Sequence, residues 1–141
     1  MAGILKVDDL RGNTSAGNIT ITGEGGSGTM QLQQGLIKVW INFKPDTPSI
    51  RDSLNVASVT DHGVCNYTDN FTNNMANGDY AVSGYVKDGS SQSHVRALCG
   101  IDSDTYSTSA FEYRVAASNA TNFNASFDAG LTTNQINGDL A

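Results

Sequence analysis

Basic clusters are missing from this chain. Its eight Lys and Arg are scattered among fourteen Asp and Glu, for a formal net charge of −6. Nucleic-acid binding needs a basic stripe to neutralise phosphates, so the charge argues against that class of partner. Long apolar runs are missing too. No stretch approaches the ~18 residues of a membrane-spanning helix, so no membrane insertion is expected. Proline occurs only twice, at Pro45 and Pro48, which excludes a proline-rich linker. Cys65 and Cys99 are the only cysteines, too few for a zinc site, which usually needs four ligands. The first residues, MAGILKVDDLRG, show no basic segment followed by an apolar one, so no secretion leader is expected and folding is placed in a cytoplasm. A disulfide is disfavoured there, and the two thiols read as small buried hydrophobes.

Neutral hydrogen-bonding residues fill the space left by charges. Asn, Ser, Thr and Gly separate apolar positions that recur with period two, the mark of strands with one face toward a core. LIKVWINF sets Ile37, Val39, Ile41 and Phe43 on one face and Leu36, Lys38, Trp40 and Asn42 on the other. IRDSLNVASVT reads as an irregular strand pair carrying Ile50, Leu54, Val56 and Val59. Cys65, Tyr67 and Phe71 fall together, as do Tyr80, Val82 and Val86. Val95, Ala97, Cys99 and Ile101 alternate with His94, Arg96 and Leu98. In AFEYRVAA, Phe111, Tyr113 and Val115 point inward and Glu112 and Arg114 outward; Phe123 and Phe127 repeat the pattern in NFNASFD. Strands so spaced, with turn clusters between them and no convincing helix, predict an all-β protein: an antiparallel β-sandwich of about 7–8 strands. LTTNQINGDLA shows no pattern and reads as a tail, or as a strand completed by a partner.

Residues 1–34 are expected to behave differently from the sandwich over 35–141. ILKVDDL and GNITITG each offer a short strand, and GEGGSG places four glycines in six residues, read as a hinge. Too few apolar groups are present to bury a core, so this stretch reads as an extended β arm that pairs with a neighbouring subunit or another protein. An ordinary hairpin packed on its own domain is the alternative.

Four phrases carry a family resemblance: KVWINF (Lys38 to Phe43), IRDSLNVASVTDHG (Ile50 to Gly63), NYTDNF (Asn66 to Phe71) and GDYAVSGYV (Gly78 to Val86). Together they resemble a β-domain of virion structural proteins in tailed bacteriophages, marine phages especially, where it is found in tail-fibre-like proteins. The resemblance covers about a third of the chain. It implies a structural protein of the particle, assembled in the host cytoplasm and displayed on the exterior as a short fibre, a fibre tip or a capsid decoration. It also implies threefold self-association, with residues 1–34 contacting other virion proteins.

No residue pattern points to catalysis or to a cofactor. Asp61-His62 and His94 lack a partnered serine in a recognisable elbow. Asp102, Asp104 and Tyr106 form a D-x-D-x-Y run, but Ser107 and Tyr113 stand where a calcium loop of the EF-hand type needs Gly and Glu. Asp102 and Asp104 therefore remain weak cation-loop candidates, and no metal is expected. Six Asn-x-Ser/Thr triplets follow from composition. Trp40 and Tyr85 sit on strand faces opposite the apolar ones. They are the candidates for a subunit interface or for stacking a host-surface glycan, the second reading of the chain.

Overall fold

In Val39–Lys44, every second residue is buried: Val39, Ile41 and Phe43. That alternation organises the larger of two compact units, Met1–Leu36 and Ile37–Ala141. The computed structural model describes residues 5–15, 19–87, 95–100, 106–118 and 128–141, with backbone alone at 95–100 and 117–118. Among the described residues the chain is all-β, with ten strands and no helix.

Among its described residues the larger unit holds eight strands: β3 (Val39–Lys44), β4 (Ser49–Leu54), β5 (Val56–Asp61), β6 (Asn66–Phe71), β7 (Ala81–Lys87), β8 (Val95–Gly100), β9 (Ala110–Ser118) and β10 (Leu131–Asn137). They form two antiparallel four-stranded sheets, ordered β4-β3-β10-β7 and β5-β6-β9-β8. The sheets face each other across one core. Phe43 of the first packs edge-on against Tyr67 of the second, with ring centroids 5.3 Å apart. From Tyr67 a chain of rings continues through Tyr113, Phe111, Tyr106 and Tyr80 to Phe71, each step between 5.0 and 6.2 Å. Aromatic pairs at such separations add to the burial of their area, so this chain links the strands of the core beyond simple area burial.

One residue carries the chain from sheet to sheet. Asn55 separates β4 from β5 and adopts a left-handed conformation, φ 59°. Asn tolerates this region better than most residues because its short amide can bond locally. Here the Asn55 side chain accepts from Asn73 N at 2.7 Å and donates to Asn73 O at 3.0 Å, pinning the corner to the end of β6. The irregular strand pair expected over 50–60 is therefore two strands in different sheets.

Inward positions on β9 follow the alternation of AFEYRVAA: Phe111, Tyr113 and Val115 are buried and Arg114 is exposed. Phe111→Ala is expected to destabilise by about 3–5 kcal/mol, since a fully packed ring is lost. Glu112→Ala, at a half-buried position on the outward face opposite Thr68, is expected to cost far less, about 1 kcal/mol or under. Paired urea titrations check this, and equal losses at the two positions would contradict the register.

Several expectations are corrected. LTTNQINGDLA is not a tail: β10 lies between β3 and β7, with Thr132, Asn134 and Ile136 buried. Two of those three inward residues are polar, so no apolar period marks the strand. After β10, Ala76 N donates to Asp139 O and Ala141 N to Asn74 O, tying down the last residues as well. Ile37 is 38% exposed and precedes β3, whereas Lys38 is buried. Burial lowers the Lys38 ammonium pKa, and attraction to Asp139 opposes that shift. Cys65 lies not in a strand but in the turn before β6, at φ 69°; its side chain is buried, as expected. On β8, the pairing sets Leu98 opposite Val115 and Cys99 opposite Arg114, the reverse of the expected parity. Phe123 and Phe127 lie outside the described residues.

The smaller unit contains β1 (Thr20–Thr22) and β2 (Thr29–Gln31), an antiparallel hairpin. GEGGSG is its turn, not a hinge: Gly23 N donates to Gly28 O at 2.8 Å and Gly26 N to Gly23 O at 2.9 Å. Gly26 sits at φ 72°, where L side chains are strained. No strand forms over residues 5–10, and all residues of both strands are exposed.

Candidate functional site

Strand pleating sends alternate residues to the outside of each sheet, and register decides which of them become neighbours. On the outer face of β4-β3-β10-β7, the pairings Trp40↔Leu54, Gln135↔Trp40 and Gln135↔Ser83 make one row. The next row holds Asp52, Asn42, Thr133 and Tyr85. Trp40 and Tyr85, on strands that each flank β10, are thus brought to one face. Strand spacing puts their Cα atoms roughly 12 Å apart, on the diagonal. Asn42, Thr133 and Gln135 lie between them. Tyr85 is 62% exposed, and Trp40 is partly buried. The face offers two aromatic rings and a band of amide and hydroxyl groups. Asn42 Oδ1 is shielded from solvent and has no hydrogen-bond partner among the described residues.

On the outer face of the other sheet, neutral groups of β5 and β6 lie beside Glu112 and Arg114 of β9. Asn70 Nδ2 donates to Ser58 Oγ at 3.1 Å and to Thr60 Oγ1 at 2.9 Å. His62 Nε2 meets Thr68 Oγ1 at 2.9 Å, and Asp61 Oδ1 accepts from Gly63 N. These contacts join the imidazole to a threonine and the carboxylate to a turn amide, with no serine between them. Asp102, Asp104 and His94 lie outside the described residues. Among the described residues, no group of three or more His, Cys, Asp and Glu is placed to hold a metal ion.

Polar groups also occupy the core. Asp69 on β6 is fully buried between the sheets, and Asn134 Nδ2 donates to its Oδ2 at 2.7 Å. Tyr113 and Thr132, also fully buried, join the cluster, with Tyr113 Oη and Thr132 Oγ1 3.4 Å apart. Burial raises the Asp69 carboxyl to about 7, against hydrogen bonds from Asn134 and Tyr113 that pull it down. Burial and the nearby Asp69 push the Tyr113 hydroxyl up. A second acid lies at the start of β6: Tyr67 Oη and Cys65 N both donate to Asp128 Oδ1. Burial, then the bond to Asp128, raises the Tyr67 hydroxyl. The alternation Cys65, Tyr67, Phe71 already placed residue 69 on the inward face; its acidic side chain hid that signal.

Comparisons with known protein families, curated proteins and solved structures gave no match to this chain.

Proposed function

We propose that this chain is a non-enzymatic structural protein of a bacteriophage particle, displayed on the exterior as a short fibre, a fibre tip or a capsid decoration. Residues 1–34 serve as the anchoring and oligomerising arm, and the sandwich is the displayed part. The phage assignment rests on the resemblance of the four phrases. The observation that carries the arm is its uncovered apolar side chains: Leu5 is 75% exposed and Val7 54%, and Ile21 and Met30 on the hairpin are exposed as well. A two-stranded hairpin without a hydrophobic partner is marginal in water, so a partner surface would stabilise it. Light scattering on the purified protein tests self-association, with a mass near three times 14.9 kDa expected. A stable monomer at micromolar concentration contradicts the trimer. Immunogold labelling of particles locates the chain on tail or head, and absence of label from intact particles contradicts the assignment.

A second reading is supported by the shared face of Trp40 and Tyr85: a host-recognition module that stacks sugar rings on these aromatics and bonds hydroxyls through Thr133, Gln135 and Asp52. In glycan-array binding, Tyr85→Ala and Trp40→Ala would each weaken a hit that Glu112→Ala leaves intact.

A further inference from the structure

Two buried oxygens in the core make no hydrogen bond among the described residues, and they belong to side chains already bonded to each other. Asn134 Nδ2 donates to Asp69 Oδ2 at 2.7 Å. The other oxygens of the pair, Asp69 Oδ1 and Asn134 Oδ1, are shielded from solvent and have no partner among the described residues. An ionised carboxylate can only accept, so with Asp69 charged Asn134 Oδ1 stays unsatisfied and Asp69 Oδ1 has at most the Tyr113 hydroxyl, which also meets Thr132, each a penalty of the kind interiors avoid. A single proton on Asp69 Oδ1 changes this, because a protonated acid has an O–H to donate. We propose that Asp69 holds a proton in the folded protein and donates it to Asn134 Oδ1, forming a neutral acid–amide pair that clasps the two sheets and is lost as the solution turns alkaline.

The placement makes the pair a clasp. Asp69 is on β6 and Asn134 on β10, each an inner strand of its sheet. In its own sheet Asp69 is paired with Val59 on β5 and Phe111 on β9. The groups turned toward the pair from β9 and β10 are Tyr113 and Thr132, and Ile41 of β3 and Gly84 of β7 are paired with Asn134. Tyr113 is the titratable group among these. Two residues back along β6, Tyr67 is bonded to Asp128 and paired with Asp61. The raised carboxyl of Asp69, near 7, agrees with this placement. Alkali removes the proton to water and leaves a buried anion facing an amide oxygen.

Between the unfolded carboxyl's value near 4 and the folded one near 7, only the folded chain holds the proton. Its stabilising effect is complete below about pH 4, falls as pH rises through 7, and is gone above about pH 8. Urea unfolding of the full chain from pH 4 to 9, beside Asp69→Asn, is the test. Relative to the variant, whose amide keeps a donor and cannot ionise, the natural chain's unfolding constant should rise by up to about tenfold per pH unit between 4 and 7 and then level off. Parallel curves would overturn the clasp. Should Asp69→Asn fail to fold, carbon-13 NMR of the Asp69 carboxyl in the natural chain decides instead. A titration midpoint near neutrality or above supports the clasp, and an ordinary midpoint near pH 4 overturns it.

Discussion

A chain ending at Gly130 is expected to lose cooperative folding altogether. The missing strand, β10, is bonded to β3 on one side and β7 on the other, and it supplies buried Thr132, Asn134 and Ile136. Without it, the first sheet becomes the β3-β4 hairpin and an isolated β7, with two unpaired edges facing an open core. The remaining rings of β6 and β9 lose the layer that covers them. Since total stabilities are only about 5–15 kcal/mol, no reserve absorbs such a loss. The truncated chain should show no sigmoidal melt by circular dichroism and should bind hydrophobic dyes. A two-state melt near that of the full chain would mean that β10 is dispensable.

Tyr67→Ala is expected to cost as much stability as any single core substitution and to remove a buried hydrogen bond as well. Its ring is fully buried, touches Phe43 across the sheets and Tyr113 beside it, and its hydroxyl bonds Asp128. Removing the ring leaves a cavity and frees an acid that retains only the Cys65 amide among these partners. The expected loss is about 3–5 kcal/mol. For a domain of this size that lowers the melting temperature by roughly 15–30 °C. Tyr67→Phe keeps the ring and removes the bond, so about 1–3 kcal/mol is expected. Calorimetry on both variants separates packing from hydrogen bonding. Equal losses would assign the whole effect to the Asp128 contact.

Strands whose inward residues are apolar could be read directly. Val39, Ile41 and Phe43 on β3 and Phe111, Tyr113 and Val115 on β9 follow a strict alternation that a one-residue slip would expose, so sequence alone places them in a core. Asn, Gly and Asp clusters marked most of the turns, because these residues tolerate or bond the required backbone. The same logic failed wherever the core is polar. Asp69, Thr132 and Asn134 occupy inward positions but look like surface residues, so β10 read as a tail or as a strand completed by a partner. It also failed at GEGGSG, whose composition suits a flexible hinge and a tight hairpin turn equally well.

Period and composition by themselves determined the class of the molecule: all-β, with strands of alternating face and an apolar-poor first segment. Both are local properties, written in each residue's neighbours along the chain. Which strands pair, that Asn55 moves the chain between sheets, that Trp40 and Tyr85 share a face, and that Asp69 meets Asn134 were decided only by tertiary structure. Each joins residues distant in sequence, Asp69 and Asn134 by 65 positions. A local pattern tells which way a side chain points, and only the packing of two sheets tells what it meets there.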